Sequence, residues 1–165
     1  MRSAVYPGSF DPVTLGHLDV VERATGVFDR LVVAVLANPR KQPLLPLDER
    51  LALLRAALAG LPADRAARVE VASFDGLTVD ACRAHGAASI VRGLRVVSDF
   101  ELELQLAHNN RRLAPGIDTV FLMTSLEHAY VSSTLVREIA SFGGDVSGMV
   151  PPAVVEALGR RFPRR

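Results

Sequence analysis

The sequence predicts an open, doubly wound α/β sheet of about five parallel strands with helices on both faces. Three observations carry that reading. Short valine-rich apolar runs alternate along the chain with amphipathic runs of helical spacing. The clearest apolar run, residues 31–36, has no polar alternation, as expected of a parallel strand covered on both faces. No internal repeat, low-complexity tract or domain-separating linker breaks the pattern, so residues 1–165 are read as a single domain.

Taken in order, residues 3–6 form a short strand closed by Pro7 and Gly8. A helix follows over residues 16–28. There Leu18, Val21, Ala24 and Phe28 recur at three- and four-residue steps, while Asp19, Glu22 and Arg23 fall on the other face. The second strand is the run at 31–36. Residues 37–46 carry three prolines and read as a rigid loop placed to line a pocket. The alternation then continues: helix 47–58, strand 68–72, helix 77–85, strand 89–91, helix 99–113, strand 119–123, and helices at 132–142 and 152–161. Ligands of such a sheet sit beyond the carboxyl ends of its strands, so function is expected in the loops that follow them.

Composition narrows the partners. Hydrophobic residues make up 49% and charged residues 22% of 165, a balance suited to a folded core without disulfide or metal support. Nineteen basic against 18 acidic side chains leave no field for a long phosphate backbone, so nucleic acid is not the expected partner and any recognised phosphate belongs to a small molecule. The single cysteine, Cys82, excludes an internal disulfide, suits a reducing compartment and reads as a buried thiol. No stretch has signal-peptide or membrane-spanning character, and a cytoplasmic protein with no membrane partner is expected.

The strongest chemical signal lies where the first strand meets the first helix: Tyr6-Pro7-Gly8-Ser9-Phe10-Asp11-Pro12, then Thr14-Leu15-Gly16-His17. A helix N-terminus presents unpaired N–H groups and a partial positive charge, and Gly8 and Gly16 suit close approach of a phosphate. Neither a Walker loop nor a dinucleotide fingerprint occurs, so the distinctive donor is His17. In the first turn its ring can hold a phosphate oxygen while the dipole disfavours an added proton. Local capping by His17 and turn formation by Ser9 are the plain structural alternatives.

Further along, Lys41 is the one lysine beside 18 arginines, in the loop after a buried strand, where a point-charge ammonium suits a phosphate. A surface lysine is the alternative. Arg92 and Arg95 flank Gly93 after the fourth strand, placing two permanent cations at the sheet's carboxyl edge. Glu103 lies one helical turn beyond Asp99 on the same face, and by spacing alone a solvated helix face is the better reading of both acids. Ser132, Ser133 and Thr134 give three consecutive hydroxyls at a helix start, of which capping explains one.

Together these segments resemble the phosphopantetheine adenylyltransferase family. The first motif is joined by Ile90-Val91-Arg92-Gly93-Leu94-Arg95, Asp99-Phe100-Glu101-Leu102-Glu103, Gln105-Leu106-Ala107 and Asn110, so the similarity runs from Tyr6 to about Pro152. The resemblance implies a Rossmann-like fold and transfer of an adenylyl group from ATP to 4′-phosphopantetheine, releasing pyrophosphate and forming dephospho-coenzyme A. It implies nucleotide contacts from Ser9, Phe10, His17, Gly93, Leu94, Arg95 and Glu103, and from the loop His128, Ala129, Tyr130, Val131, Ser132, Ser133 and Thr134. Acceptor contacts fall to Ser9, Lys41, Thr78, Arg92 and Asn110, and catalysis to His17, Ser9, Lys41 and Arg92. Helix packing is an equal account of Thr78.

The sequence departs from the family's usual aromatic-Ser-Phe-x-Ser-Ser-Ser at His128 and Ala129. Magnesium is implied on the phosphates rather than in a protein carboxylate cage; a homohexamer and coenzyme A as a feedback ligand are implied as well. Other nucleotidylyltransferases, such as a cytidylyltransferase or a nicotinamide-mononucleotide adenylyltransferase, are the enzymatic alternatives. A nucleotide-binding regulatory module without catalysis is the alternative of another class.

Overall fold

Five strands run parallel in the order β3-β2-β1-β4-β5 in a computed structural model that describes residues 1–37 and 42–163. The strands are β1 (Ser3–Gly8), β2 (Arg30–Leu36), β3 (Val69–Phe74), β4 (Ser89–Leu94) and β5 (Asp118–Met123). They alternate with helices α1 (Leu15–Val27), α2 (Leu47–Leu58), α3 (Ala63–Ala66), α4 (Thr78–Ala84), α5 (Val97–Leu113), α6 (Ser133–Ser141) and α7 (Pro152–Arg161). This is the doubly wound sheet that the alternation predicts. The single turn α3 was not expected; it fills the connection from α2 to β3.

Alternate side chains of the central strands divide the core into two layers, the two-residue period of a strand put to use on both faces. Tyr6, Leu31, Val33, Val35 and Val91 pack with Val20 and Val21 of α1, Leu54 of α2 and Val154 of α7. On the other face Val5, Val32, Ala34 and Ile90 pack with Val79 and Cys82 of α4. Cys82 is fully buried, and burial pushes its thiol up to about 11, so it serves as a small apolar side chain.

The site is positioned by a split between β1 and β4. These strands pair only at Ala4 with Ser89 and at Val5 with Ile90, whereas β1 and β2 pair along all six residues from Ser3 to Gly8. Pairing with β4 stops where Pro7, which has no N–H, enters the strand. The sheet order also reverses here, with β2 on one side of β1 and β4 on the other, and that topology opens a crevice at the carboxyl edge.

One expectation is corrected. Arg92 and Gly93 belong to β4, paired with Phe121 and Leu122 of β5, rather than to the loop after it. An apolar-run criterion ends the strand at Val91, but backbone bonding to β5 continues through Leu94 whatever the side chains are. A strand holds Arg92 more rigidly than a loop would.

Candidate active site

The crevice holds a cavity of about 580 Å3. Its floor is the turn after β1. Phe10 has a φ of 45°, in the left-handed region, and its buried ring lies edge-on to Tyr6 at 5.4 Å and to His17 at 5.0 Å between ring centres. A Cβ on Gly8 would stand 3.0 Å from that ring, tighter than an ordinary contact, so the Phe10 ring would have to give by a few tenths of an ångström. Gly16 is under no such pressure: a Cβ there would make ordinary contacts.

His17 both caps the helix and faces the cavity. Thr14 is the N-cap of α1, and the His17 side chain stands where a capping box has Glu or Gln. The Thr14 N–H donates to His17 Nδ1 at 3.0 Å, and the His17 N–H donates to Thr14 Oγ1 at 3.3 Å. With Nδ1 an acceptor, the proton of the neutral ring resides on Nε2. Burial, followed by the charges of Arg95 and Arg92, pushes the imidazole down to about 4. The ring is therefore a neutral N–H donor at neutral pH.

Arg92 bridges the split strands. Its Nη1 donates to Pro7 O at 2.8 Å, while Nε and Nη2 donate to the two carboxylate oxygens of Glu103 at 2.6 and 2.5 Å. Burial opposes the Arg92 charge, but the hydrogen bonds and charge of Glu103 outweigh it, and the guanidinium is held above its ordinary range. Nη1 and Nη2 each keep one further N–H for a ligand. Arg95 makes a matching bidentate pair with Asp99, both bonds at 3.0 Å, and Nη1 donates to Val131 O. Asp99 and Glu103 thus each orient one arginine from adjacent turns of α5.

The three hydroxyls at α6 have separate uses. Ser132 Oγ caps the helix by accepting from Leu135 N, Ser133 Oγ donates to Pro12 O, and Thr134 Oγ1 accepts from Arg137 Nη2. The Ser133 bond ties the α6 N-terminus to the turn after β1, while the other two stay within the helix and its cap.

Sequence reading missed a second set of anchors. The buried carboxylate of Asp11 accepts from Leu44 N at 2.8 Å and Leu45 N at 2.9 Å, and Arg137 Nη1 donates to Asp11 O. Arg50, 5% exposed, donates from Nε to Leu45 O and from Nη1 to Ser9 O and Leu36 O. The signal for Arg50 was present: it precedes Leu54 and Leu58 by four and eight residues, on the buried stripe of α2.

The cavity brings together Ser9 and Phe10 from the turn after β1, His17 from α1, Arg92 and Gly93 from β4, Arg95 from the connection that follows, and Glu103 from α5. Val131, Ser132, Ser133 and Thr134 close its far wall. Leu94, Thr78, Asn110, His128, Ala129 and Tyr130 are not among its lining residues; Tyr130 is 81% exposed. His128 Nδ1 is buried without a hydrogen-bond partner among the described residues. Lys41 lies outside the described residues.

The cytidylyltransferase-like family profile matches residues 5–139. A phosphopantetheine adenylyltransferase of Anaeromyxobacter dehalogenans is 54% identical over 99% of this chain and 96% of its own. The enzyme of that name from Alkalilimnicola ehrlichii is 56% identical, over 96% and 90% respectively. A solved Vibrio parahaemolyticus structure described as a nicotinate-nucleotide adenylyltransferase aligns over 97% of this chain and 93% of its own with a TM-score of 0.67; at 18% identity it speaks to the fold alone. Sequence motifs, a Rossmann-like sheet and full-length similarity agree: the chain belongs to the cytidylyltransferase-like family and, within it, to the phosphopantetheine adenylyltransferases.

Proposed function

We propose that the chain transfers the adenylyl group of ATP to 4′-phosphopantetheine, giving dephospho-coenzyme A and pyrophosphate. The observation that best supports this is the Nε2–H of His17, held neutral and aimed by its cap in a cavity flanked by arginines. The acceptor's phosphate is already anionic at neutral pH, so in-line attack on the α-phosphorus needs no general base. Alignment and charge stabilisation are what the protein must supply.

In this reading His17 donates to an oxygen of the transferring phosphoryl group. Ser9, Lys41 and Arg92 hold the acceptor's phosphate, with Thr78 and Asn110 on the pantetheine arm. Phe10, Gly93, Leu94, Arg95, Glu103 and the segment 128–134 hold the nucleotide. Magnesium enters with ATP: Asp11, Asp99 and Glu103, the carboxylates lining the cavity among the described residues, are each engaged by an arginine. On the polyphosphate it would offset charge on the leaving pyrophosphate.

The reading extends to a cytoplasmic homohexamer with coenzyme A as a feedback ligand and with no nucleic-acid or membrane partner. Assembly has support from α5, whose 17 residues include none that is buried, and from the exposed Val97, Leu102 and Leu113 along it. No helix among the described residues is long and apolar enough to cross a membrane. The test is pyrophosphate release from ATP with and without 4′-phosphopantetheine. Release that requires the acceptor is expected; ATP binding with no release for any acceptor marks a regulatory module instead.

A further inference from the structure

Three of the four arginines that line the cavity among the described residues are paired with a carboxylate. Arg92 has Glu103, Arg95 has Asp99 and Arg137 has Asp11. Arg50 has none among the described residues, although it is 5% exposed. Its Nε donates to Leu45 O at 3.1 Å, and its Nη1 donates to Ser9 O at 2.8 Å and Leu36 O at 3.1 Å. Those bonds use the single Nε–H and both hydrogens of Nη1. Nη2 keeps two N–H groups with no acceptor among the described residues, and it is not among the atoms sealed from solvent.

A guanidinium in this position is costly in the free protein. Neutral carbonyls satisfy part of its hydrogen bonding but leave a nearly buried positive charge uncompensated. An anion arriving at Nη2 would supply the missing countercharge in a low-dielectric setting. Position indicates which anion. The three carbonyls that hold Arg50 lie on the turn after β1, the end of β2 and the segment leading into α2, all on the β2 flank of the cavity. Arg92 near the end of β4 and Arg95 just beyond it occupy the β4 flank.

We propose that Arg50 is a substrate-binding residue, its Nη2 donating to the phosphate of 4′-phosphopantetheine on the β2 flank of the cavity. This rests on the proposed function, which gives the acceptor's phosphate to Ser9, whose carbonyl Arg50 holds, together with Lys41 and Arg92, and gives the nucleotide to Arg95 and the segment 128–134. By gripping Ser9 O with Nη1, the same guanidinium fixes the turn after β1 relative to the phosphate it binds.

Steady-state kinetics with both substrates test the assignment. Arg50→Lys keeps the charge but loses the fork, and it should raise the KM for 4′-phosphopantetheine about 10- to 100-fold, the loss expected of a charge-assisted hydrogen bond. The KM for ATP should move by less than about threefold in a purely acceptor-side loss. In thermal melts, 4′-phosphopantetheine alone should stabilise the wild type and lose that effect in Arg50→Lys, while stabilisation by ATP persists. Should Arg50→Lys fold poorly, Arg50→Ala with added guanidinium at a non-denaturing concentration decides: recovery of the acceptor KM by guanidinium but not by ammonium supports the contact. An equal rise in both KM values, a change confined to ATP, or an unchanged acceptor KM overturns it. A wild type that releases no pyrophosphate with 4′-phosphopantetheine sinks the proposed function and this inference together; an active wild type with an indifferent variant sinks the inference alone.

Discussion

Thr14 and His17 cap the first helix reciprocally, and the bond from Thr14 N–H to His17 Nδ1 leaves Nε2 as the ring's protonated nitrogen. One local motif thereby starts α1, fixes a tautomer and aims a donor. A carboxylate at the same capping position would close the box equally well but would present no hydrogen to a phosphate.

The first prediction concerns pH. The folded ring takes its proton near 4, while an unfolded histidine takes one near 6.5, so the unfolded chain binds more protons between those values. Stability contributed by the neutral ring is present above about 6.5 and is lost as pH falls toward 4. Between pH 7 and pH 5 the wild type should lose roughly 1–2 kcal/mol more than His17→Gln, measured by urea unfolding at both values. Parallel losses in the two proteins would remove the histidine from the account.

The second concerns Arg92 and Glu103, whose side chains are 28% and 12% exposed. Glu103→Gln removes the countercharge and leaves Arg92 anchored chiefly by Pro7 O. A loss of about 1–3 kcal/mol is expected, with reduced kcat/KM. Glu101→Gln, exposed on the same helix, should stay within about 0.5 kcal/mol. Equal effects at the two positions would contradict the pairing.

Gly93 supplies a third test. A Cβ there would stand 2.7 Å from Val20 Cγ2, so Gly93→Ala must displace the Val20 side chain or shift α1 against β4. Overpacking of this kind costs about 1–3 kcal/mol. The double variant Gly93→Ala, Val20→Ala should recover part of that loss in a double-mutant cycle, and strict additivity would show that the contact does not carry the effect.

The sequence was most informative where chemistry and local structure coincide. Thr14-Leu15-Gly16-His17 is readable because a helix start, its cap and its anion site occupy four adjacent residues. The sheet was readable because valine-rich strands buried on both faces leave an unbroken apolar signal, as at Leu31 to Val35. The apolar signal of the fourth strand ends at Val91 because neither Arg92 nor Gly93 carries one, although both are paired with β5.

What escaped is long-range. Arg50 reaches Ser9 across 41 positions, Asp11 reaches Leu44 across 33, and Arg137 reaches Asp11 across 126. Within Asp48-Glu49-Arg50 an arginine looks like a solvated helix face, and only its register with Leu54 and Leu58 shows otherwise. The pairing of Asp99 and Glu103 with particular arginines was likewise out of reach, because helical spacing shows that two acids share a face but not what meets them.

Turnover of His17→Ala with ATP and 4′-phosphopantetheine tests the central claim most directly. Loss of one preorganised donor predicts a kcat reduced about 100- to 1,000-fold with little change in the KM for ATP. A His17→Ala enzyme that turns over at close to the wild-type rate would contradict the role given to its Nε2–H.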